Sequence, residues 1–253
     1  MKRLQVVKIG GAALTDARWL ESFAAHAREN AARVIVHGGG PEVSALSATL
    51  GIPVEWVNGR RVTSEAALNA ARMVLSGSIN KRIVAALYDA GVDAVGVSGE
   101  DAGLVAGAVA HGGALGRVGE VKNVRVSLLH RFLDAGLCPV ISPISRDIEG
   151  GALNINADEV ATAVAVAVHA TELLFLTDVP AVRDADGDRS ELGAAEAESL
   201  IESGIASGGM AVKLGAALNA LKSGVGRVRV GPVAMMNDER AGTVIRLEVA
   251  ACR

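Results

Sequence analysis

Two short hydrophobic runs near the start of the chain each end in a cluster of glycines. Residues 4–9 precede Gly10 and Gly11, and residues 33–36 precede His37 and the three glycines at 38–40. Each cluster leads into a segment of helical character, and the second begins with Pro41, a frequent first-turn residue. The repeated order of strand, glycines and helix predicts an open parallel α/β sheet.

Composition excludes several classes of function. The chain has 253 residues, a formal net charge of −3 and 2% aromatic residues, so it lacks the basic patches and stacking platforms of nucleic-acid-binding proteins. Its longest apolar stretch, residues 161–175, contains His169 and Glu172 and is too short to span a bilayer. Cys138 and Cys252 show no metal spacing. We therefore expect a cytoplasmic protein without nucleic-acid or membrane partners.

Residues 153–169 place three polar side chains before an uncharged Ala/Val run. Asn154, Asn156 and Asp158 alternate along the chain where it enters this segment, which we expect to be buried. Buried amides and carboxylates are costly without partners, so three of them at one point suggest a site. The alternative is a helix N-cap formed by Asn156 or Asp158, which accounts well for only one of the three.

Further residues with chemical potential follow the predicted strands. Lys8 lies inside the first strand and either extends to solvent at an edge or faces a phosphate. His37 could be a base, although a histidine held by backbone hydrogen bonds is the simpler interpretation. Asn58-Gly59 predicts a hairpin, after which Arg61 could bind a carboxylate.

Three other segments carry structural predictions. Residues 64–75 and 79–90 are typical of two separate helices, and residues 104–110 and 118–126 of a β-hairpin. The charged segment 183–189 resembles a calcium loop but lacks its closing Glu, which favours a solvated turn.

The chain contains neither common nucleotide-binding fingerprint, G-x-x-x-x-G-K-[S/T] or G-x-G-x-x-G. Lysines, glycine loops and a carboxylate are nevertheless the parts that phosphoryl transfer uses, because its catalysis is mostly positioning and electrostatic stabilisation. Spacing alone does not show whether Lys8, Asp158 and Lys213 meet.

Seven motifs in order resemble those of the N-acetylglutamate kinases, which belong to the amino acid kinase family. The motifs span residues 7–213, and the resemblance extends over residues 6–246. They are V-K-I-G-G at 7–11, V-H-G-G-G at 36–40, N-G-R-R-V-T at 58–63, N-K at 80–81, N-I-N-A-D at 154–158, T-D-V-P at 177–180 and G-G-M-A-V-K at 208–213.

The resemblance implies a fold and a reaction. The fold is an open three-layer αβα sandwich around a mainly parallel central sheet, formed by a single domain over residues 1–253. An N-terminal lobe of about residues 1–170 would bind the acyl amino acid, and a C-terminal lobe of about residues 171–253 would bind ATP. The reaction is ATP-dependent phosphorylation of the γ-carboxylate of N-acetyl-L-glutamate, in arginine biosynthesis. Mg²⁺ would be held through the ATP phosphates rather than by a protein metal site.

The same resemblance assigns roles residue by residue. Lys8 and Lys213 would stabilise the transferred phosphoryl group, and Asp158 would hold both lysines. Arg61 would bind the substrate α-carboxylate, with Asn154 and Asn156 at its acetamido end. The implied substrate-binding glycines are Gly38, Gly39 and Gly40. The other implied ATP-binding residues are Gly10, Gly11, Gly39, Asp178, Val179, Pro180, Ala181, Val182, Arg183, Ile205, Gly208, Gly209 and Met210.

Some features depart from the family pattern. Ala181 replaces a usual Gly and would be strained if its φ were positive; Ser44 replaces a common Asn, and residues 247–253 extend past the usual end. The short N-terminus lacks the extra helix of arginine-inhibited hexamers, which predicts a homodimer without that feedback.

Two other functions remain open. One is a kinase of aminoadipate or glutamate bound to an acidic carrier protein, which calls for a basic surface at the mouth of the site. Residues that could supply it are Arg60, Arg61, Arg72, Lys81 and Arg82. The other is a non-catalytic nucleotide or amino-acid sensor on the same fold.

Overall fold

A computed structural model describes residues 4–29, 32–57 and 60–247, without the side chains of residues 32, 56, 60 and 61. Within these residues the chain forms an eleven-stranded, mainly parallel sheet with helices on both faces. The predicted three-layer αβα architecture is therefore confirmed.

The strands and helices alternate along most of the chain. The strands are β1 (Leu4–Ile9), β2 (Ala32–His37), β3 (Trp56–Val57), β4 (Arg60–Arg61), β5 (Ala94–Gly99), β6 (Val105–Val109), β7 (Val118–Val124), β8 (Cys138–Asp147), β9 (Ala152–Ile155), β10 (Glu172–Leu176), β11 (Val182–Asp184), β12 (Gly187–Arg189), β13 (Glu191–Gly193), β14 (Val228–Gly231) and β15 (Thr243–Arg246). The α-helices are α1 (Ala17–Arg28), α2 (Gly40–Thr49), α3 (Glu65–Arg72), α4 (Asn80–Asp89), α5 (Val126–Asp134), α6 (Ala157–Ala167), α7 (Ala194–Glu202) and α8 (Gly208–Lys222).

Strand β1 lies at the centre of the sheet, whose main order is β13-β15-β14-β10-β1-β2-β8-β6-β7-β9, with β5 also paired to β8. β1 is parallel to β2 on one side and to β10 on the other. From β1 the chain continues to β2, whereas from β10 it continues to β14 on the opposite side. The carboxyl ends of β1 and β10 therefore form a topological switch point, where open α/β sheets commonly bind ligands.

Successive side chains of β1 point to opposite faces of the sheet and so pack into two different hydrophobic cores. Val6 belongs to the core that includes α6, α7 and α8, whereas Val7 and Ile9 belong to the core that includes α1 and α4. Since alternate residues of a strand share a face, Lys8 lies on the same face as Val6, towards α6.

The predicted helices at 64–75 and 79–90 form one continuous helical segment instead. A π-helical stretch, Met73–Ile79, joins α3 directly to α4 without a break. The two predicted helices correspond to α3 and α4, but the predicted gap between them is wrong, because residues 76–78, including Gly77, are helical as well. The extra residue per turn of a π-helix shifts the side chains that follow, among them Asn80.

Both predicted hairpins are confirmed by strand pairing. β3 pairs antiparallel with β4, although the turn residues Asn58 and Gly59 lie outside the described residues. β6 pairs antiparallel with β7. The charged segment 183–189 is more ordered than a solvated turn: β11 and β12 form a third hairpin, with ion pairs from Arg183 to Asp188 and from Arg189 to Asp184.

No helix in the part of the chain that the structure describes has both the length and the apolar character needed to cross a bilayer.

Candidate active site

The structure brings Lys8 and Asp158 together at the switch point. Lys8 lies near the carboxyl end of β1, and Asp158 lies in the first turn of α6, which packs over β1. The Lys8 ammonium is 2.8 Å from Asp158 Oδ1, and both side chains are less than one-tenth exposed. Asp158 Oδ1 lies within ion-pair distance of Lys8 but accepts no hydrogen bond of good geometry from the described residues. The carboxylate therefore retains capacity to accept a further donor.

Lys213 approaches this pair from α8 without touching Asp158. Its half-buried ammonium makes a long hydrogen bond of 3.4 Å to the Gly209 carbonyl, and no described ion pair joins it to Asp158. Burial and then the positive charge of Lys8 lower the pKa of Lys213, while Asp158 and Asp178 oppose that shift. The positive charges of Lys8 and Lys213 therefore act on each other. An anion between them would relieve their mutual repulsion.

Two glycine loops meet beside Lys8. A Cβ added to Gly11 would lie 2.8 Å from Gly39 N and 2.9 Å from Gly40 N. Among the described residues, the N–H groups of Gly11, Gly39 and Gly40 donate to no acceptor. Three unpaired donors in one place, with Gly40 opening α2, form a binding surface for an anion.

The three polar residues before and at the start of α6, Asn154, Asn156 and Asp158, have different roles in the structure. Asn156 is the N-cap, because its side-chain oxygen accepts from Asp158 N at 2.8 Å. Asn154 lies on β9 and donates to the Thr63 hydroxyl at 3.3 Å. Asp158 faces Lys8, so the N-cap interpretation is correct for Asn156 and leaves the other two residues to the site.

A cavity of about 470 Å³ connects these parts. It is bounded by Lys8, the glycine loops, these three polar residues and apolar residues of α2, α3 and the π-helical stretch. Its principal polar lining residues are Lys8, Gly11, Gly38, Gly39, Gly40, Ser44, Thr63, Asn154, Asn156 and Asp158. Arg61 lies on β4, next along the chain to Val62 and Thr63, but its side chain is outside the described residues.

Thr63 was not singled out by sequence reasoning. It is buried, bonds through its backbone to Leu115 and Arg117, and contacts Asn154 through its hydroxyl. Its position at the end of the N-G-R-R-V-T motif was the available signal.

A separate, smaller cavity of about 230 Å³ lies beyond the carboxyl end of β10. Its walls come from the T-D-V-P segment, the β11–β12 hairpin and the start of α8. The lining residues are Val179, Pro180, Ala181, Arg183, Asp188, Ile205, Ala206 and Met210. Six predicted ATP-site residues are thus assembled here, and the exposed side chains of Val179 and Ile205 offer an apolar surface for a flat ring.

The other predicted ATP-site residues do not line this cavity, and Lys8, Gly11 and Gly39 line the larger one. Gly208 and Gly209 begin α8, and Asp178 is exposed beside Thr177. Val182 does not line the smaller cavity, because its side chain is fully buried in the core. Ala181 does not adopt a positive φ, so the strain considered for a non-glycine residue is absent.

His37 is not available as a base. It is fully buried, and burial lowers its pKa to about 4. Its Nδ1 lies 3.0 Å from the Gly38 carbonyl oxygen and its Nε2 lies 3.3 Å from Asn80 Nδ2. The interpretation of a strand-end histidine held by the backbone is confirmed.

This histidine should make folding pH-dependent. In the unfolded chain His37 takes up a proton below its ordinary pKa of 6.5, whereas in the folded protein it stays neutral until about pH 4. The free energy of unfolding should therefore decrease as the pH is lowered from 6.5 to 4, by roughly 3 kcal/mol in total. Urea unfolding at pH 7 and pH 4.5 measures the loss. His37→Asn should lose less over the same interval; equal losses would show that His37 does not contribute.

The described residues include no group of three His, Cys, Asp or Glu side chains placed to hold a metal ion.

Comparison with known proteins identifies the family of this chain. The model of the amino acid kinase family matches residues 3–232. Proteins named acetylglutamate kinase from Geobacillus kaustophilus (strain HTA426) and Geobacillus stearothermophilus are 41% and 42% identical to this chain, and each alignment covers 98% of both sequences. The crystal structure of smu.665 from Streptococcus mutans UA159 superimposes with a TM-score of 0.83 at 28% identity, covering 98% of this chain and 100% of that one. The chain therefore belongs to the amino acid kinase family, and within it to the acetylglutamate kinases.

Proposed function

We propose that this protein transfers the γ-phosphoryl group of ATP to the γ-carboxylate of N-acetyl-L-glutamate, forming N-acetyl-L-glutamyl 5-phosphate in arginine biosynthesis. The observation that carries the proposal is the placement of the buried Lys8–Asp158 ion pair beside two glycine loops whose N–H groups have no acceptor among the described residues. Positively charged groups and N–H donors without acceptors stabilise the negative charge that develops on a phosphoryl group during its transfer.

The chemistry needs no general base. A glutamate-type carboxyl has a pKa of about 4.3 and is already an anion at neutral pH. The difficulty is bringing this anion to a polyanion, and Lys8, Lys213 and the glycine amides reduce that repulsion. The low pKa of His37 makes this residue a poor base. In the reaction, a carboxylate oxygen forms a bond to the γ-phosphorus while the bond to the ADP oxygen breaks.

The two cavities support a division between substrates. The larger one, with Asn154, Thr63 and the 38–40 loop, would hold N-acetyl-L-glutamate, with Arg61 at its α-carboxylate. The smaller one would hold the adenosine of ATP, with its phosphates directed past the start of α8 towards Lys8. Mg²⁺, bound through the phosphates, would further neutralise their charge. This assignment corresponds to an acyl-amino-acid lobe over about residues 1–170 and an ATP lobe over about residues 171–253.

The rival carrier-protein kinase is less well supported. An acidic carrier needs free cations, but Arg72 is paired bidentately with Glu100, and Arg82 with Glu42. Lys81 donates to Asn80 Oδ1 and the Gly96 carbonyl. Three of the five basic residues considered for that surface thus already have partners within the chain.

Rates of ADP release test the substrate assignment. With MgATP, we expect kcat/KM for free N-acetyl-L-glutamate to exceed those for glutamate, aminoadipate and N-acetylaspartate by at least about tenfold. A preference for unacetylated or carrier-bound substrate would overturn the assignment. No turnover with any carboxylate, together with ATP binding, would favour the non-catalytic sensor.

Ile205 tests the nucleotide side separately. Ile205→Ser removes an exposed apolar side chain from the smaller cavity and should raise KM for ATP about 3- to 10-fold, since losing such a contact costs about 1 kcal/mol. KM for N-acetyl-L-glutamate should change little. Ile148→Ser is the control, because Ile148 is similarly exposed but does not line this cavity. Equal effects of both changes would argue against an ATP site here.

Three expectations remain predictions, namely a homodimer, a cytoplasmic location and the lack of feedback inhibition by arginine. Sedimentation equilibrium tests the first, because a monomer or hexamer would contradict it. Inhibition of turnover by millimolar arginine would contradict the expected lack of feedback.

A further inference from the structure

The side-chain amide of Asn80 has an orientation that its neighbours determine. Asn80 is fully buried, and its Nδ2 lies 2.9 Å from the Val140 carbonyl oxygen and 3.3 Å from the Val97 carbonyl oxygen. Its Oδ1 lies 3.1 Å from the Lys81 ammonium. Exchanging the oxygen and nitrogen would set an acceptor against two carbonyls and a donor against an ammonium. The NH₂ group must therefore face the carbonyls.

The same NH₂ group fixes the protonation of His37. Asn80 Nδ2 lies 3.3 Å from His37 Nε2 and has only hydrogens to offer. One hydrogen of the NH₂ group points to the Val140 carbonyl, and the other is shared between the Val97 carbonyl and Nε2, both at 3.3 Å. A donor directed at Nε2 requires a lone pair there, so the single proton of the neutral ring is on Nδ1. Nδ1 is 3.0 Å from the Gly38 carbonyl oxygen, to which it can donate.

The close approach of α4 to β5 is part of this arrangement. A Cβ on Gly96 would lie 2.0 Å from Asn80 Oδ1 and 2.7 Å from Lys81 Nζ. Gly96 leaves the space in which Asn80 reaches both the sheet and His37.

We infer that His37 is a positioning residue, held by Asn80 in its Nδ1–H tautomer, that fixes the Gly38–Gly39 peptide and so aims the Gly39 N–H into the site. In a trans peptide the carbonyl and the following N–H point in opposite directions. Holding the Gly38 carbonyl against His37 therefore turns the Gly39 N–H away from it. That N–H has no acceptor among the described residues, and Gly39 lines the larger cavity.

The consequence for catalysis rests on the proposed function. If the Gly39 amide stabilises the transferred phosphoryl group, a peptide plane free to rotate would weaken that contact mainly in the transition state. His37 would then influence kcat without touching a substrate.

Two substitutions of His37 separate this role from simple packing. Asn can place its NH₂ near the position of Nδ1 and keep the bond to Gly38, whereas Gln can reach Asn80 but not Gly38. We expect His37→Gln to lower kcat at least about tenfold with a smaller change in KM for ATP, and His37→Asn to retain most of kcat. Equal losses, or a greater loss in His37→Asn, would overturn the inference.

The tautomer can be measured without turnover. Nitrogen NMR of the intact protein labelled with ¹⁵N-histidine, with the His37 signals identified by their loss in His37→Asn, should show a protonated Nδ1 and an unprotonated Nε2 at pH 7. His26, whose Nδ1 lies 2.8 Å from the Ser22 carbonyl oxygen, gives an internal comparison. A proton on His37 Nε2 would overturn the inference. If wild-type protein failed to phosphorylate N-acetyl-L-glutamate, the proposed function would fail, and the tautomer would still decide the hydrogen-bond chain.

Discussion

Replacing Lys8 by Met should lower kcat by about 10²- to 10³-fold, with a much smaller effect on KM for ATP. The substitution removes a buried positive charge next to the predicted path of the phosphoryl group, and single preorganised donors at such positions contribute about this much. Steady-state kinetics with saturating MgATP and N-acetyl-L-glutamate measures the change.

The stability of this variant must be separated from its activity. Lys8→Met leaves the Asp158 carboxylate buried without its ion-pair partner, which costs about 3–5 kcal/mol. Adding Asp158→Asn removes that uncompensated charge with little change in shape. The double variant should recover most of the unfolding free energy and none of the lost kcat. A kcat within tenfold of wild type, or recovery of kcat in the double variant, would remove Lys8 from its assigned role.

Gly11→Ala should abolish most activity by forcing the two glycine loops apart. The new Cβ would lie 2.8 Å from Gly39 N and 2.9 Å from Gly39 Cα and Gly40 N. All three are backbone atoms, so the loops must separate, which we expect to cost about 1–3 kcal/mol of unfolding free energy. Separation would also disperse the free N–H groups, and kcat/KM should fall by about 100-fold or more.

Gly40→Ala is the matched control for this prediction. A Cβ at Gly40 meets nothing within 4 Å, and Gly40 is the first residue of α2, where Ala is well tolerated. Its urea midpoint should equal or exceed that of wild type. Wild-type stability and kinetics in Gly11→Ala would contradict the close contact between the two loops.

The sequence predicted the parts of the site better than their contacts. A lysine at the end of a buried strand, glycines after it and an amide–carboxylate triplet before a helix all have local signatures, and each lies at the edge of the larger cavity. The Lys8–Asp158 pair follows from strand alternation once α6 is known to cover the Val6 face, but that placement depends on the sheet order.

Other features depend on packing that sequence patterns do not express. The π-helical stretch Met73–Ile79 has an ordinary helical composition, and its irregular register becomes visible only where Leu75 and Ile79 lie against Gly39. Asn80 was noted only as part of the N-K motif at 80–81, and its full burial depends on the packing of α4 against the sheet. The β11–β12 hairpin is stabilised by ion pairs between charges that looked solvated. Lys213 was expected to contact Asp158 directly, whereas here the two groups act on each other only over a longer distance.

The most direct test of phosphoryl transfer follows oxygen atoms. The protein is incubated with MgATP, hydroxylamine and N-acetyl-L-glutamate carrying ¹⁸O in its γ-carboxylate. If the carboxylate attacks the γ-phosphorus, hydroxylamine then attacks the acyl carbon and releases phosphate that keeps the bridging oxygen. We predict equal amounts of hydroxamate and of inorganic phosphate containing one ¹⁸O. ATP consumption with unlabelled phosphate and no hydroxamate would contradict the proposed reaction.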